Sequence, residues 1–151
     1  MGLDMYLYKH TYVQNWRHMD ESELHKITVK EGGKIRKDIK PERIAYIIEQ
    51  VGYWRKFNAL HNWFVKECQK GIDECQTTYI SRENLGLLLK TLKSIRDDHS
   101  LAGELLPTAS GFFFGSSEVD EYYFKEIVKT IELLEEELKT TNGDYYYRSS
   151  W

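Results

Sequence analysis

Apolar and polar residues alternate at both ends of the chain. Residues 3–8 place Leu and Met side chains on one side and Asp and Tyr side chains on the other, which is the period of a half-buried strand. Residues 145–148 are also strand-like and begin two residues after Asn142-Gly143, a pair that typically ends a helix. Because a strand that starts so soon after a helix could pair with the first strand, we expect one sheet to contain both termini.

Between the two ends, apolar residues recur every three or four positions, which predicts core-facing helices. Pro41 suits the first turn of a helix, and the helical pattern then runs to residue 70 as two helices or as one helix bent at Gly52. Its apolar stripe comprises Ile44, Ile47, Ile48, Val51, Trp54, Phe57, His61, Phe64 and Cys68. Ser81 caps the next predicted helix, whose stripe comprises Leu85, Leu88, Leu89, Leu92 and Ile95. A further helix is predicted over residues 118–139.

Two shorter patterns complete the predicted fold. Gly32-Gly33 lies between β-branched runs at residues 27–29 and 35–39, which indicates a polar hairpin at the edge of the fold. Residues 77–80 form a short strand candidate. A chain of 151 residues fits a single domain, residues 1–151, with a core that needs no disulfide or metal. The predicted class is α+β, with three to four helices packed on a small, mostly antiparallel sheet that includes both chain termini.

The composition is that of a globular protein, with 41% hydrophobic and 30% charged residues. A formal net charge of −3 argues against general nucleic-acid binding. The charges are unevenly placed: residues 26–56 contain nine Lys or Arg and four Asp or Glu, whereas residues 117–144 contain three Lys and nine Asp or Glu. These segments could form opposite patches, neutralise each other in the fold, or be ordinary solvated faces.

The sequence contains no pattern typical of a membrane or secreted protein. No stretch approaches membrane-spanning length, and the first residues lack a basic region followed by an apolar run. Cys68 and Cys75, with six residues between them, match no usual zinc or redox spacing. We therefore expect a cytoplasmic protein with reduced thiols, no metal site and no cofactor.

Three consecutive phenylalanines, Phe112, Phe113 and Phe114, precede the last predicted helix and lie between Gly111 and Gly115. We expect a loop here, with one of the two following serines, Ser116 and Ser117, capping the helix. Adjacent residues of an extended chain point in opposite directions, so at least one ring should reach a surface, a cleft or a partner. The three phenylalanines are therefore either buried in the core beneath a loop or form one wall of a binding cleft.

The acidic start of the last predicted helix restricts what this loop could bind. Glycines that lead into a helix N-terminus could offer backbone amides to an anion. Glu118, Asp120 and Glu121 would repel such an anion. The pattern favours a neutral or cationic group, or a simple helix cap.

Residues 52–65 form the richest polar and aromatic segment. On a helix, Arg55, Asn58 and Asn62 would share one face, and Trp54 and His61 another. Arginine offers a fork of donors and an aromatic ring offers a stacking surface, so the pair could hold a planar or phosphorylated ligand. The predicted ligand-binding residues are Trp54, Arg55, Asn58, His61, Asn62, Phe112, Phe113, Phe114 and Tyr146. The alternative is a helix with an aromatic core face and a solvated basic face.

His61 is a weak candidate for catalysis. It would act as a general base oriented by Glu67, Asp120 or Glu121, but no motif places these carboxylates near it, and a histidine in such a stripe is more often a hydrogen-bonded core residue. His61 and Cys68 lie seven residues apart and could supply only two metal ligands.

Several phrases resemble a group of small phage and prophage proteins of no established activity. They are residues 1–7 (MGLDMYL), 51–56 (VGYWRK), 61–65 (HNWFV), 105–108 (LLPT), 110–115 (SGFFFG), 145–147 (YYY) and 149–151 (SSW). The resemblance runs nearly from end to end. It implies a cytosolic protein of a mobile element and brings no catalytic residue or ligand with it.

The sequence leaves three hypotheses for function. The first is a non-catalytic binding module with an aromatic cleft for a small ligand, for example a nucleotide-like one. The second is a protein that inhibits or docks on a host protein, or forms a homo-oligomer, because tyrosines and opposite charges suit recognition surfaces. The third is a small enzyme that uses His61 as its base. None of the three involves a membrane.

Overall fold

The computed structural model of the protein describes residues 2–111 and 114–151. The strands in this part are β1 (Asp4–Tyr12), β2 (Lys30–Glu31), β3 (Lys34–Ile35), β4 (Tyr46–Arg55), β5 (Thr78–Ile80) and β6 (Asp144–Ser150). The α-helices in this part are α1 (Asn58–Cys68), α2 (Arg82–Asp97), α3 (Ala102–Leu105) and α4 (Glu121–Leu138). Short 3₁₀ turns lie at Glu21–Glu23, Pro41–Arg43 and His99–Leu101. The predicted α+β class is confirmed.

The main sheet has the strand order β4-β1-β6-β5, and its neighbouring strands are all antiparallel. The first and last strands pair directly, with Leu7 opposite Tyr147 and Tyr8 opposite Tyr146. The predicted pairing of the two ends of the chain is therefore confirmed, and it places these strands at the centre of the sheet.

The core lies between one face of this sheet and the helices. Leu3, Met5 and Leu7 of β1 are fully buried, as the alternating pattern predicts. Phe64 of α1 stacks on Tyr147 with ring centroids 3.9 Å apart. The predicted cap and stripe of α2 are confirmed, because Ser81 accepts a hydrogen bond from the Asn84 amide and the buried stripe residues are Leu85, Leu88, Leu92 and Ile95.

The prediction of a helix starting at Pro41 is wrong, because residues 46–55 form strand β4. Ile47 and Ile48, which the helical spacing placed in the core, are 39% and 58% exposed. β4 pairs with β1 from Asp4 opposite Arg55 to Tyr12 opposite Tyr46. Its β-branched and aromatic residues favour a strand, and the spacing of isoleucines carries no information about a partner strand elsewhere in the sequence.

Gly52 lies at a β-bulge and not at a helix bend. The register passes from Leu7 opposite Gly52 to Tyr8 opposite Gln50, so Val51 is the extra residue. A Cβ added at Gly52 would lie 2.6 Å from Cη2 of Trp54. Glycine therefore makes room for the indole of Trp54, which is 1% exposed and donates to Thr130 of α4 at 2.8 Å.

The segment between β1 and β4 forms a largely exposed extension. The predicted hairpin around Gly32-Gly33 is confirmed, with strands of only two residues each, β2 and β3. Both glycines have positive φ angles of 56° and 80°, which other residues rarely adopt. None of residues 14–44 is buried, so this extension contributes little to the core.

Buried tyrosines predict a loss of stability at alkaline pH. Burial raises the pKa of Tyr145 to about 12, helped by its hydrogen bond to Glu137, and raises the pKa of Tyr147 well above its ordinary value near 10. Unfolding lets these phenols ionise, so stability is unchanged below about pH 10 and falls as the pH rises from there toward the folded pKa values. The urea midpoint should be constant from about pH 7 to 9 and lower at about pH 11. An unchanged midpoint at the higher pH would contradict the burial of these hydroxyls.

Candidate functional site

The turn between β4 and α1 holds Lys56 in the left-handed region, with φ 56°. This conformation costs an L-residue roughly 1–2 kcal/mol. The backbone amide of Lys56 donates to the carbonyl of Leu3 at 2.7 Å. The lysine stem packs against two glycines, since a Cβ on Gly2 would lie 2.9 Å from Lys56 Cε and one on Gly115 would lie 3.0 Å from Lys56 Cβ. Contacts from the two residues before β1 and from the loop before α4 therefore fix this strained corner.

Asn58, the first residue of α1, anchors the loop before α4. Its amide nitrogen donates to the carbonyls of Phe114 at 3.1 Å and Ser116 at 2.7 Å. Its amide oxygen accepts from the backbone amide of Ala109 at 2.9 Å. Because Asn58 is only 2% exposed, these bonds satisfy a buried polar side chain and hold both sides of the loop against α1.

Asp120 caps α4 by accepting a hydrogen bond from the amide of Tyr123 at 3.0 Å. The helix begins at Glu121, so the predictions of a start near Glu118 and of a serine cap are wrong. The Ser116 hydroxyl instead accepts from the Glu118 amide at 3.1 Å and forms a local turn. An aspartate carboxylate satisfies the same orphan amide that a serine cap would.

Two tyrosines in the first turn of α4 connect the helix to its surroundings. The Tyr122 hydroxyl donates to the carbonyl of Arg55, and the Tyr123 hydroxyl donates to the carbonyl of Leu106 at 2.7 Å. Burial raises the pKa of both phenols. Both hydroxyls therefore remain protonated donors at neutral pH.

These elements enclose a cleft of about 450 Å³, which we call the corner cleft. It lies between the end of β4, the start of α1, the loop before α4 and the first turn of that helix. Its lining residues are Arg55, Lys56, Phe57, Asn58, Ala59, Thr108, Gly115, Ser116, Glu118, Asp120, Tyr122 and Tyr123. The rings of Phe57 and Tyr123 meet edge to face with centroids 5.6 Å apart, and because each residue is only 2% exposed they form a rigid aromatic floor to the cleft.

The corner cleft carries charges of both signs. Arg55 lies 3.1 Å from Asp4, whose Oδ1 also accepts from the Tyr53 hydroxyl at 2.6 Å, so this arginine is already paired. The side chains of Lys56 and Glu118 make no hydrogen bond or ion pair within residues 2–111 and 114–151. One ammonium and one carboxylate therefore remain available to a molecule in the cleft.

The structure brings some of the predicted site residues together. Arg55 and Asn58 both line the corner cleft. Phe114 is half-buried nearby, with its ring 5.1 Å from that of His61 and 6.3 Å from that of Trp151. The loop, α1 and the C-terminal tail thus meet around Phe114.

Other predicted site residues lie elsewhere. Arg55 belongs to β4, so the helical face that it would share with Asn58 and Asn62 does not exist. Asn62 lines a separate hollow of about 210 Å³ beside Trp63 and Pro107. Trp54 is buried in the core, and Tyr146 lies on the sheet face away from the helices, where it contacts His10 at 4.2 Å between ring centroids. Phe112 and Phe113 lie outside the described residues.

His61 forms part of a buried hydrogen-bond network. It is 1% exposed, its Nδ1 lies 2.7 Å from the Tyr147 hydroxyl, and its Nε2 lies 2.9 Å from Asp73 Oδ2. Asp73 in turn accepts from the Trp151 indole at 3.2 Å. None of the expected orienting residues, Glu67, Asp120 or Glu121, is its hydrogen-bond partner. Because both ring nitrogens are occupied and the ring is shielded, this is the geometry of a structural histidine.

The described part of the chain offers neither a cluster of metal ligands nor a helix suited to a membrane. Residues 2–111 and 114–151 contain no group of three or more His, Cys, Asp or Glu side chains that could hold a metal ion. None of the helices described above combines the length and the apolar character needed to cross a membrane. Cys68 and Cys75 are both free thiols, and burial raises the pKa of Cys68 to about 11.

Sequence reasoning missed several residues of the corner cleft. Nothing in the local sequence predicts that Lys56 lines a cleft, because its positive φ depends on contacts with Leu3 and with the distant loop. For Glu118, the sequence predicts a place at the helix start and repulsion of an anion, but not a place in the lining of a cleft. The tyrosine pair at the start of α4 could have been noticed, since adjacent tyrosines in a first turn point to different sides of the helix and here join β4 to the loop.

Comparisons of the chain with protein-family models, with curated proteins and with solved structures gave no match. The resemblance to small phage and prophage proteins therefore stays a prediction, and a proposal for function has to rest on the geometry of the corner cleft and of the sheet.

Proposed function

We propose that the protein is a non-catalytic module that binds a small organic molecule in the corner cleft. The observation that carries this proposal is a cleft of about 450 Å³ with an aromatic surface and two unpaired charges. Small-molecule sites usually occupy roughly 300–1,000 Å³ and combine apolar walls with a few polar groups. Strained backbone such as that of Lys56 also concentrates at ligand sites.

The charges define the chemistry of the ligand. Glu118 suits a hydrogen-bond donor or a positive group, and Lys56 suits an acceptor or a negative group. The edge-to-face pair of Phe57 and Tyr123 suits a flat apolar ring that packs on top of it. The proposed ligand is therefore a small ring system with a donor and an acceptor on its edge, a description that nucleobases and nucleosides meet.

In this proposal, a nucleotide-like ligand, as predicted from the sequence, would enter the cleft with its base. The charge of Arg55 is compensated by Asp4, and the three polar contacts of Asn58 are to backbone groups, so neither offers an uncompensated positive charge to a phosphate. A phosphate would also meet Glu118 and Asp120 in the lining. Recognition therefore depends on Lys56, Glu118 and the aromatic surface.

The proposal is tested by native mass spectrometry of the purified protein and by thermal-shift binding to a panel of nucleobases, nucleosides and nucleotides. Lys56→Gly removes the cleft ammonium while keeping a residue that accepts positive φ. Glu118→Gln removes the carboxylate charge. We expect each variant to weaken binding by about tenfold or more, as for loss of one charged hydrogen bond.

The chain offers matched controls for both variants. Lys70 is a second exposed lysine with positive φ, 55°, and Lys70→Gly should leave binding unchanged. Glu132 lies exposed on α4, so Glu132→Gln controls for the loss of one negative charge. If no small molecule is retained and no member of the panel binds, or if control and cleft variants behave alike, the proposal is wrong.

A further inference from the structure

The sheet face away from the helices, which we call the outer face, carries a continuous set of aromatic side chains. Together with the polar and aliphatic residues between these rings, the outer face contains Asp4, Tyr6, Tyr8, His10 and Tyr12 of β1, Tyr46, Ile48, Gln50, Tyr53 and Arg55 of β4, Asp144, Tyr146 and Arg148 of β6, and Tyr79 of β5. Neighbouring rings are in contact across the strands, with centroids 5.5 Å apart for Tyr6 and Tyr53 and 5.7 Å apart for Tyr79 and Tyr146.

This aromatic surface is exposed toward its edges and half-buried at its centre, around Tyr8 and Tyr146. Tyr79 is 54% and Ile48 is 58% exposed, whereas the alternate positions of β1, such as Met5 and Leu7, are fully buried beneath the helices. A contiguous exposed patch of this kind on a folded domain usually marks an interaction site. Tyrosine is also enriched at recognition surfaces, because it combines a rigid apolar ring with a polar tip.

The unpaired charges of the outer face lie symmetrically about its centre. Asp4 and Arg55 pair with each other, while the side chains of Asp144 and Arg148 make no ion pair or side-chain hydrogen bond in the described part of the chain. Both lie on β6, two residues before and two residues after Tyr146. Residues that are paired across neighbouring strands form a row perpendicular to the strands, and Tyr146 lies in the same row as Tyr8 and Tyr79.

We propose that the outer face docks on the same face of a second copy of this chain. The twofold axis lies in the interface, perpendicular to the strands and level with Tyr146. Such an axis reverses the strand direction, so Arg148 of each copy meets Asp144 of the other and two equal ion pairs form. Tyr146 then packs against its own equivalent at the centre.

The other rows of the outer face are complementary under the same axis. Tyr53 lies in the row of Arg148, and Ile48 lies in the row of Asp144, so these apolar residues meet each other. Arg55 and Tyr46 lie in the two end rows, so the guanidinium of one copy approaches the tyrosine ring of the other. An isologous interface needs this self-complementarity.

A single-stranded nucleic acid is the competing occupant, because bases stack on tyrosines of open sheets. Phosphate binding needs several free cations, yet the unpaired charges of the outer face are one arginine and one aspartate, and the chain carries a net charge of −3. A strand laid along β6 would therefore meet Asp144. The charge pattern favours a second copy.

The size of the outer face indicates a weak dimer. Strands β4, β1, β6 and β5 contain 10, 9, 7 and 3 residues, which at about 3.3 Å per residue and about 4.8 Å per strand cover roughly 460 Å². This is near the lower end for a specific interface, about 500–600 Å² for each partner. We therefore expect a dissociation constant in the micromolar range, on the order of 1–100 μM.

Sedimentation velocity from about 5 to about 500 μM protein tests this dimer. Arg148→Asp places two acids opposite two acids and should weaken association by about tenfold or more. The exchange variant Asp144→Arg/Arg148→Asp restores opposite charges between copies and should recover the dissociation constant of the wild type. Lys90→Asp, on the exposed side of α2, removes the same charge away from the outer face and should have no effect.

Three outcomes would overturn the proposal. The first is a wild-type protein that stays monomeric over this concentration range, including one that instead binds a labelled single-stranded oligonucleotide through the outer face. The second is an Arg148→Asp variant that associates as strongly as the wild type while circular dichroism shows that it is folded. The third is failure of the exchange variant to recover association, because the twofold arrangement requires it.

Discussion

Replacing His61 with alanine should lower the free energy of unfolding by about 2–4 kcal/mol. The change removes the bonds to Tyr147 and Asp73 and leaves the buried Tyr147 hydroxyl without a partner, which costs about 1–3 kcal/mol. It also removes the ring that contacts Phe114 and opens a cavity under the loop. Urea unfolding followed by tryptophan fluorescence gives the value.

Two companion variants show what the network contributes. Tyr147→Phe keeps the ring stacked on Phe64 and removes only the hydroxyl, so a loss of about 1–3 kcal/mol isolates the bond to His61. His18 is exposed, and His18→Ala should change stability by less than about 0.5 kcal/mol. If His61→Ala were as stable as the wild type, His61 would not be a structural residue and the enzyme hypothesis would regain its candidate base.

Replacing Asn58 with alanine should release the loop before α4. Three backbone groups, in Ala109, Phe114 and Ser116, lose their partner at once, and the expected cost is about 2–4 kcal/mol. Because these groups belong to a loop, we expect faster proteolysis within residues 108–120 as well as a lower urea midpoint. Ligand binding in the corner cleft should be lost with the loop.

Asn62 provides the matched control, since it lies one turn further along α1. It is half-buried, and its side chain makes no hydrogen bond in the described residues. Asn62→Ala should therefore leave the proteolysis rate and the cleft unchanged. Equal effects of the two substitutions would mean that the loop is not held by Asn58.

The elements that the sequence predicted well are those that depend on local pattern. The alternation in residues 3–8 and the stripe of α2 each bury one face of an element. The buried positions of a strand recur every second residue and those of a helix every three or four residues, so both patterns are visible in the sequence. Ser81 acts through an amide three residues away, so its role is also visible locally.

The errors arose where distant contacts decide the structure. Residues 46–55 have isoleucines at helical spacing, but pairing with β1 along the whole length of β4 outweighs that spacing. The wrong helix prediction also affects the predicted site, because Arg55 lies at the end of strand β4 and shares no helix face with Asn58 and Asn62. The network of His61 depends on Asp73 and Tyr147, and nothing in the spacing of these residues predicts that they meet.

The two proposals concern different surfaces of the molecule, which share Arg55, and they can fail separately. The corner cleft lies at the end of β4 on the helix side, whereas the outer face is centred on Tyr146. Arg55 is the residue that belongs to both. Dimer formation therefore leaves most of the cleft lining unchanged, and loss of association in Arg148→Asp should leave ligand binding intact.

Amide chemical-shift mapping on isotope-labelled protein is the most direct test of ligand binding in the corner cleft. A nucleoside or other small molecule that the binding screen identifies would be titrated into the wild type and into Lys56→Gly. We expect shift changes concentrated in residues 55–59 and 108–123, and their loss in the variant. Changes confined to the outer face around Tyr6 and Tyr146, or no changes near Lys56 and Glu118, would contradict a binding role for the corner cleft.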